Sequence, residues 1–550
     1  MAIELSDITF TEQDDVVPAS GVEEIVNTGI ANTLAGNDII TGTVTSNWSI
    51  QGFFNTGTLN TDDGNDTITG IGAAGGSFGL SHAGYIDTGE GNDVIAGINP
   101  MGNTGFVSSG GPIDTGNGDD IITGIGEIFG VHNYSTINTG NGNDSIRSQG
   151  IFQSTGKVFL GNGNDSIIVE PTNYGSFTNS ISTIEEGSGI IDTGDGNDII
   201  ISEQILNYGV INTGNDDDSI IINRDRGYKG LATGYNTVTI NTGNGADSIT
   251  FQGEFINRGK VFLGEGNDSL IADAYLSNQA IQNFDAIDTG DGDDIITSTG
   301  VINNLGIINT GDGNDSIIAE GTGTGYDIIT GRGYGIINVG TMNAGAGNDE
   351  IIGTNVNGWG IYNFSGNTID TGDGNDQITG TGGSNGIYNN GLIKTGDGSD
   401  IITGTSTTEG GYGIYNEGII NTGNGDDSII ANGSVYNNGG SINTGDGNDS
   451  IIANQGFESA PNSSGAWFLG EGEDYIKGYG SGDFYGGNGL DILELTAGSY
   501  TVGIWGEGGE SPIFTKGNQL MITSEFEILI AGGTIYDFAS LTAGQIIVVA

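Results

Sequence analysis

The stretch from Ile307 to Ile318 reads IINTGDGNDSII, and this pattern decides the fold. It recurs in recognisable form nineteen times between Asn32 and Leu493. Each copy has one fixed aspartate, Asp315 in the quoted stretch, and two residues later every copy has Ile or Leu. Internal repetition of this kind is typical of solenoids, in which each repeat packs only against its neighbours. We therefore expect the Ile/Leu position to point into a continuous core.

The fixed aspartates show that the repeat is a coil of variable length. Successive aspartates are 17 to 34 residues apart, and 27 and 21 are the commonest intervals, so loops of different size interrupt a constant turn. The nineteen positions are Asp38, Asp66, Asp93, Asp120, Asp144, Asp165, Asp198, Asp218, Asp247, Asp268, Asp294, Asp315, Asp349, Asp376, Asp400, Asp427, Asp449, Asp474 and Asp491.

A second, looser motif precedes many copies and reads Asn-x-Gly followed by a β-prone stretch. Examples are Asn207–Ile211, Asn390–Ile393 and Asn416–Ile420. Asn and Gly tolerate positive φ and the flanking Ile and Val favour strands, so each repeat reads strand, turn, strand, turn, strand. No repeat has helical periodicity. The sequence predicts an all-β parallel β-helix of about nineteen coils, in which the Asn row is a stacked amide ladder rather than a ligand site.

Composition narrows the possible partners. The 550 residues include 70 Asp plus Glu against 11 Lys plus Arg, which gives a formal net charge of -59. Nucleic acid is excluded as a partner because phosphate binding needs a basic surface. A compact chain with this charge repels itself unless cations neutralise it. With no cysteine and only two histidines, His82 and His132, soft metals are disfavoured and oxygen ligands are left.

The turn T-G-x-G-N-D-x-I resembles the nonapeptide of the RTX, or haemolysin-type, calcium-binding repeat proteins, G-G-x-G-x-D-x-U-x, where U is a large apolar residue. Sixteen copies keep both inner glycines; Leu34, Asp62 and Asp216 break the pattern and predict weaker or empty sites. Only the last copy, at Gly486-Gly487, has the leading glycine pair. The resemblance implies a β-roll with several Ca²⁺ ions shared between turns of adjacent coils, here along one edge only.

The predicted calcium ligands are the fixed aspartates and the carbonyls of the turn glycines. Glycines allow the tight turn, and calcium accepts six to eight oxygens in a flexible geometry. A column of aspartates roughly 5 Å apart is destabilising without cations between them. The representative glycines are Gly194, Gly196, Gly290, Gly292, Gly311, Gly313, Gly372, Gly374, Gly445, Gly447, Gly487 and Gly489.

We divide the chain into an N-terminal cap (1–25), the repeats (26–495) and a β-rich C-terminal cap (496–550). The N-terminus lacks the features of a Sec-type signal peptide, and no segment is long and apolar enough to span a bilayer. The RTX resemblance implies type I secretion through an uncleaved signal in the C-terminal cap. It also implies a chain that stays unfolded at low cytosolic calcium and folds outside the cell.

Three functions fit these observations. The first is a secreted structural protein of the cell surface or matrix, a sheath, surface layer or fibril, because the repeats fill nearly the whole chain. The second is an adhesin that binds cell-surface polysaccharide, with Trp48, Trp359 and Trp467 as candidate contacts. The third is an RTX enzyme or toxin, which the sequence disfavours because no separate catalytic region accompanies the repeats.

Other features are weaker. The strings Gly75–Gly79 and Gly382–Gly386 match a nucleophile elbow, but neither has the strand-to-helix context of a catalytic serine. The basic group Arg224, Arg226 and Lys229 is interpreted as a local charge partner. A threonine row at Thr310, Thr371 and Thr422 could order ice, but the glycine after each threonine disfavours a flat face.

Overall fold

The structure is a computed structural model. It describes residues 2–18, 23–44, 51–73, 78–170, 180–183, 189–223, 233–273, 279–321, 333–460, 465–505 and 511–550. Within these ranges the regular structure is β, apart from two 3-10 turns at Leu5–Asp7 and Phe538–Ser540. None of the helices in the described part of the chain is long and apolar enough to cross a membrane. The chain forms two compact units, residues 1–271 and 272–550.

Each coil has three strands, and each strand pairs in parallel with its counterpart in the next coil. In unit 2, for example, the strands of one coil are Glu350–Asn355, Trp359–Asn363 and Thr368–Asp370. The first and second strands belong to one sheet and the third to another. Register is kept, so Ile351 lies opposite Ile378 and Ile369 opposite Ile393. The predicted parallel β-solenoid is therefore confirmed.

Unit 1 contains the following strands. The first strands, which follow the aspartate turn, are Val16–Val17, Ile39–Thr43, Thr67–Ile71, Val94–Asn99, Ile121–Asn133, Ser145–Ser154, Ser166–Glu170, Ile199–Ser202, Ser219–Ile222, Ser248–Phe251 and Ser269–Ala272. The second strands are Ile3–Glu4, Ile25–Asn27, Gln51–Asn55, Phe78–His82, Thr104–Ser108, Ser180–Thr183, Gln204–Asn207, Thr233–Asn236 and Glu254–Asn257. The third strands are Ile30–Asn32, Thr58–Asn60, Tyr85–Asp87, Ile113–Asp114, Thr136–Asn138, Lys157–Asn162, Ile190–Asp195, Val210–Asn212, Thr239–Asn241 and Lys260–Glu265.

Unit 2 repeats this order. Its first strands are Ile295–Ser298, Ser316–Gly321, Glu350–Asn355, Gln377–Gly382, Ile401–Ser406, Ser428–Asn432, Ser450–Ala453, Tyr475–Lys477, Ile492–Leu495 and Ile528–Ala531. The second strands are Gln279–Asn283, Val301–Asn304, Tyr334–Asn338, Trp359–Asn363, Asn385–Asn389, Tyr412–Asn416, Ser434–Asn437 and Phe457–Glu458. The third strands are Ala286–Asp291, Ile307–Asn309, Thr341–Asn343, Thr368–Asp370, Leu392–Asp397, Ile419–Asn424, Ser441–Asp446, Ala466–Gly472 and Gly482–Gly489.

The core is a stack of apolar side chains, mostly Ile but with Phe in several coils, one from each strand of a coil. The Ile or Leu two residues after each fixed aspartate is buried in every coil, as the sequence predicts. In the coil around Ile351, the second and third strands add Ile361 and Ile369, both fully buried. Because apolar residues occupy the same place in successive coils, their side chains stack on one another along the core.

The C-terminal end of unit 2 changes to antiparallel pairing. The strands Gly498–Trp505, Ser511–Lys516 and Gln519–Ser524 form a meander, and Ile546–Val549 pairs with the first of them. The hairpin strand Thr534–Asp537 pairs with Ile528–Ala531. Antiparallel hairpins can close the open face of a parallel stack because their turns need no crossover.

Candidate metal centre: the aspartate column

The Gly/Asp turn owes its shape to two glycines in the left-handed region. In the turn of Asp315 the φ angles of Gly311 and Gly313 are 90° and 150°. A Cβ at Gly311 or Gly313 would collide with the carbonyl oxygen of Gly290 or Gly292 in the preceding coil. Glycine is therefore required both by backbone angle and by the close approach of successive turns. All twelve glycines proposed from the sequence have positive φ.

The nineteen fixed aspartates are buried and joined by one repeated hydrogen bond. Their side chains are at most 2% exposed. Within unit 1, the backbone N–H of each aspartate donates to Oδ1 of the next, as from Asp66 to Asp93 at 2.7 Å. The same bond joins the aspartates of unit 2, with lengths up to 3.0 Å. The structure thus brings the predicted residues together in a column in each unit.

In most of these residues the second carboxylate oxygen is left without a hydrogen bond. This buried Oδ2 has no partner at Asp38, Asp66, Asp93, Asp120, Asp144, Asp165, Asp198, Asp218, Asp247, Asp315, Asp349, Asp376, Asp400, Asp427, Asp449, Asp474 and Asp491. The nearby threonine hydroxyl does not fill the role, because it donates to a carbonyl of the next coil, as Thr310 does to Ala344. A buried acceptor without a partner costs about 1–3 kcal/mol, and more when it is charged.

Burial shifts the titration of the column toward neutral pH. Desolvation raises the pKa of Asp66 to about 7, and the charges of Asp93 and Asp38 add to the rise. The backbone N–H of Asp38, which donates to Asp66 Oδ1, opposes it. Desolvation likewise raises the pKa of Asp315 to about 7. Carboxylates in this environment need either protons or another positive charge beside them.

The turn carbonyls, like the carboxylates, lie between successive coils. Each turn glycine lies against the carbonyl oxygen of its counterpart in the preceding coil, as Gly374 does against that of Gly347 and Gly447 against that of Gly425. The carbonyls therefore point along the column, toward the next coil. Carboxylate and carbonyl oxygens together form the donor set that hard cations such as Ca²⁺ prefer.

No three His, Cys, Asp or Glu side chains in the described part of the chain converge on one point. An ion in the column is therefore limited to one or two carboxylates, and backbone carbonyls must supply most of its protein ligands. This division of ligands fits calcium, which binds neutral carbonyl oxygens readily. It does not fit a soft metal.

The three copies without one of the glycines keep the shape of the turn. Leu34, Asp62 and Asp216 have φ of 68°, 60° and 79°, the left-handed region that their counterparts occupy as glycine. A non-glycine residue there costs about 1 kcal/mol or more. The backbone of the column is thus continuous through these turns, at the expense of local strain.

The Asn row on the other turn is an amide ladder, as predicted. Asn363 Nδ2 donates to Asn389 Oδ1 at 2.9 Å and to the carbonyl of Leu392 at 3.0 Å, and Asn389 continues the bond to Asn416. The ladder residue of its coil is Asn389, not the adjacent Asn390 named from the sequence. In unit 1, His82 takes one ladder position, with Nδ1 3.1 Å from Asn55 Nδ2. Burial lowers the pKa of His82 to about 4.

The sequence motif misses two residues that share the column's hydrogen bond. The backbone N–H of Asp15 donates to Asp38 Oδ1 at 2.7 Å, and that of Asp491 donates to Glu527 Oε2 at 2.8 Å. Both residues lie in shortened turns that lack Gly-x-Gly, so the repeat pattern does not find them. The only sequence signal is an acidic residue just before an apolar pair, Val16-Val17 or Ile528-Leu529.

Two tryptophan contacts predicted from the sequence are wrong, two features that the sequence disfavoured are excluded, and other candidates lie outside the described residues. Trp359 and Trp467 are 7% and 0% exposed, so neither is available as a sugar contact. The threonine row is buried, which removes it as an ice-ordering face. Ser384 lies in a turn between two strands, so its string is not a nucleophile elbow. Trp48, the basic group Arg224, Arg226 and Lys229, and residues 75–77 of the other string lie outside the described residues.

Comparisons with known proteins add little. No protein-family model matches the chain. No curated protein matches it either. Among solved structures, the chain is similar to a hyperactive, Ca²⁺-dependent, β-helical antifreeze protein from an Antarctic bacterium, with 17% identity over 83% of each chain and a TM-score of 0.23. At this TM-score the similarity carries no argument about the present chain, whose parallel β-solenoid class is defined by its own strand pairing.

Proposed function

We propose that this chain is a secreted calcium-binding structural protein of a cell surface or extracellular matrix, and that it folds when calcium binds. The observation that carries the proposal is the aspartate column, in which buried carboxylates leave Oδ2 without a partner and the turn carbonyls point toward the next coil. The resemblance of the turn to RTX repeats supports it. The chain is assigned no catalytic activity.

Electrostatics supplies the reason for calcium-dependent folding. Neighbouring unit charges roughly 5 Å apart at an effective dielectric constant of about 20 repel by about 3 kcal/mol. This cost recurs at every step of the column and can exceed the net stability of a domain, which is about 5–15 kcal/mol. Divalent ions between the carboxylates turn repulsion into attraction, so metal binding and folding become one equilibrium.

A calcium titration of the chelator-treated protein tests this function. We expect the far-ultraviolet circular dichroism of the metal-free protein at neutral pH to lose its β signal and calcium to restore it. Native mass spectrometry should show several ions bound as the signal returns, whereas magnesium, which demands a stricter geometry, should be a poor substitute. Full β structure in chelator, or recovery without bound ions, would refute the proposal.

The surface role is proposed together with self-association into fibrils or arrays. It is supported by exposed apolar side chains on the last strands of unit 2, where Ile535, Ile546 and Val548 are 66–70% exposed. Exposed apolar side chains of this size favour contacts with other chains. Electron microscopy with calcium should show regular arrays, and antibodies should label intact cells. Dispersed monomers at every concentration would contradict assembly, and protein confined to the cell interior would contradict the location.

A further inference from the structure

The hydrogen bond that joins successive aspartates gives the column a direction. We call each turn with its fixed acidic residue a rung, and the space between two rungs a gap. Because Asp315 Oδ1 accepts the N–H of Asp294, the Asp315 carboxylate faces the gap before it. The carbonyl of Gly292 faces the gap after its own rung, since Gly313 lies against it. Each gap therefore combines carbonyls from one rung with the carboxylate of the next.

The N-terminal end of unit 1 keeps only the carbonyl half of this arrangement. Asp15 donates its N–H to Asp38 Oδ1, and a Cβ on Gly36 would meet the carbonyl of Gln13. Val16 and Val17 pair in register with the first strand of the next coil. Residues Thr11–Asp15 thus occupy the place of a rung before Asp38.

The carboxylate of Asp15 is hydrogen-bonded within its own turn. Asp15 Oδ2 accepts the Thr11 N–H at 2.8 Å and the Thr11 hydroxyl at 3.2 Å. By contrast, Asp38 Oδ2 is buried, has no partner and belongs to the gap between these two rungs. The gap before Asp38 thus has the same two halves as the interior gaps.

The C-terminal end of unit 2 keeps the carboxylate half. Glu527 Oε2 accepts the N–H of Asp491, and Ile528–Ala531 pairs in register with Ile492–Leu495. Ser524, the register partner of Tyr485, is three residues before Glu527, whereas Tyr485 is six before Asp491. The shortened turn leaves no room for Gly-x-Gly. The glutamate side chain is longer than that of aspartate, and its Oε2 still reaches the N–H of Asp491.

We propose that Thr11–Asp15 is the N-terminal end piece of the calcium column of unit 1 and that Glu527 is the C-terminal end piece of the column of unit 2. The first supplies the Gln13 carbonyl to the ion held by Asp38. Glu527 supplies the carboxylate for one further ion, above the carbonyls of Gly487 and Gly489. This inference rests on the proposed calcium binding. Each end contributes only the half-site that faces the column.

Ion counting by native mass spectrometry tests the C-terminal site. E527Q should bind one calcium fewer than the wild-type chain, while E473Q, which removes the same charge at an exposed position beside Asp474, should bind the wild-type number. E527D should also lose one ion, because the charge remains but the carboxylate is retracted. An unchanged count in E527Q would overturn the inference; should E527Q fail to fold, the count in E527D decides in the same way.

At the N-terminal end, in contrast to Glu527, the acidic residue of the end piece is not expected to hold an ion. D38N should lose one ion, whereas D15N should keep the wild-type number because its carboxylate does not face a gap. Loss of an ion in D15N together with its retention in D38N would overturn the assignment. A wild-type chain that binds no calcium would refute the proposed function itself, whereas a calcium-binding chain with unexpected variant counts would refute only the end pieces.

Discussion

The two turn rows of each coil stack similar side chains with opposite results. In the Asn row, each amide carries both a donor and an acceptor, so Asn363 accepts from Asn338 and donates to Asn389. In the Asp row, the carboxylate only accepts, and Oδ2 of Asp349 or Asp376 is left over. An amide ladder is complete by itself, whereas a carboxylate ladder needs positive charge from outside. Calcium and protons are the two sources that can supply it.

The largest expected effect is that of acid on the stability of the chelator-treated protein, because protons can neutralise the Asp row and leave the Asn row unchanged. The pKa of Asp66, Asp120 and Asp315 is raised to about 7 by burial, against about 4 in an unfolded chain. The folded chain thus binds more protons between these values, so its stability is lost as pH rises through 7 and gained as pH falls toward 4.

We expect the metal-free protein to gain β signal in circular dichroism as the pH falls from about 7 to about 5. The calcium-saturated protein should vary little over the same interval, because its column is already neutralised. Loss of β structure by the metal-free protein on acidification in this window would show that the carboxylates do not control folding.

Breaking the amide ladder should be costly with or without calcium. N363A removes the partners of Asn338, Asn389 and the Leu392 carbonyl, and should lower the free energy of unfolding by about 3 kcal/mol. Thermal unfolding in calcium measures it. N390A, one residue after the ladder position of the next coil, is the matched control and should change little. Equal losses in both variants would contradict a specific ladder.

Replacing one carboxylate by an amide should have an effect whose sign depends on calcium. D376N keeps the acceptor for the Asp349 N–H but removes one charge, so the metal-free chain should gain about 1 kcal/mol. With calcium, the variant should bind fewer ions and unfold at a lower temperature. D373N is the control in the same turn, because its side chain points outward, and its ion count should match the wild type. The same sign under both conditions would contradict the proposed role of the column.

The smallest effect concerns turn strain. L34G relieves a left-handed residue with φ of 68° and should stabilise unit 1 by about 0.5–1 kcal/mol. L305G changes a similarly exposed leucine that is not in the left-handed region, and should be destabilising. Thermal unfolding of both variants in calcium separates strain from the general cost of glycine. A destabilised L34G would show that Leu34 contributes packing that outweighs its strain.

Sequence periodicity was sufficient for the solenoid and for the column of aspartates. A fixed aspartate followed two residues later by Ile or Leu, as at Asp376 and Ile378, puts both side chains on the inner face of a strand that leaves a turn, because alternate residues of a strand face the same side. The glycines of that turn could be found because glycine adopts the φ angle without strain and leaves room for the preceding coil, and only Leu34, Asp62 and Asp216 replace it in the nineteen copies.

Only the tertiary structure decided which residues were accessible and where the column ends. From the sequence alone, Trp359 and Thr310 could be surface groups. They are buried, because the alternation of inward and outward side chains begins anew after every turn and cannot be followed along the sequence. Asp15 and Glu527 have no repeat around them, and their role depends on a hydrogen bond to a residue 23 or 36 positions away. The local sequence determines the conformation of a turn, whereas the stacking of coils determines which residue hydrogen-bonds to its carboxylate.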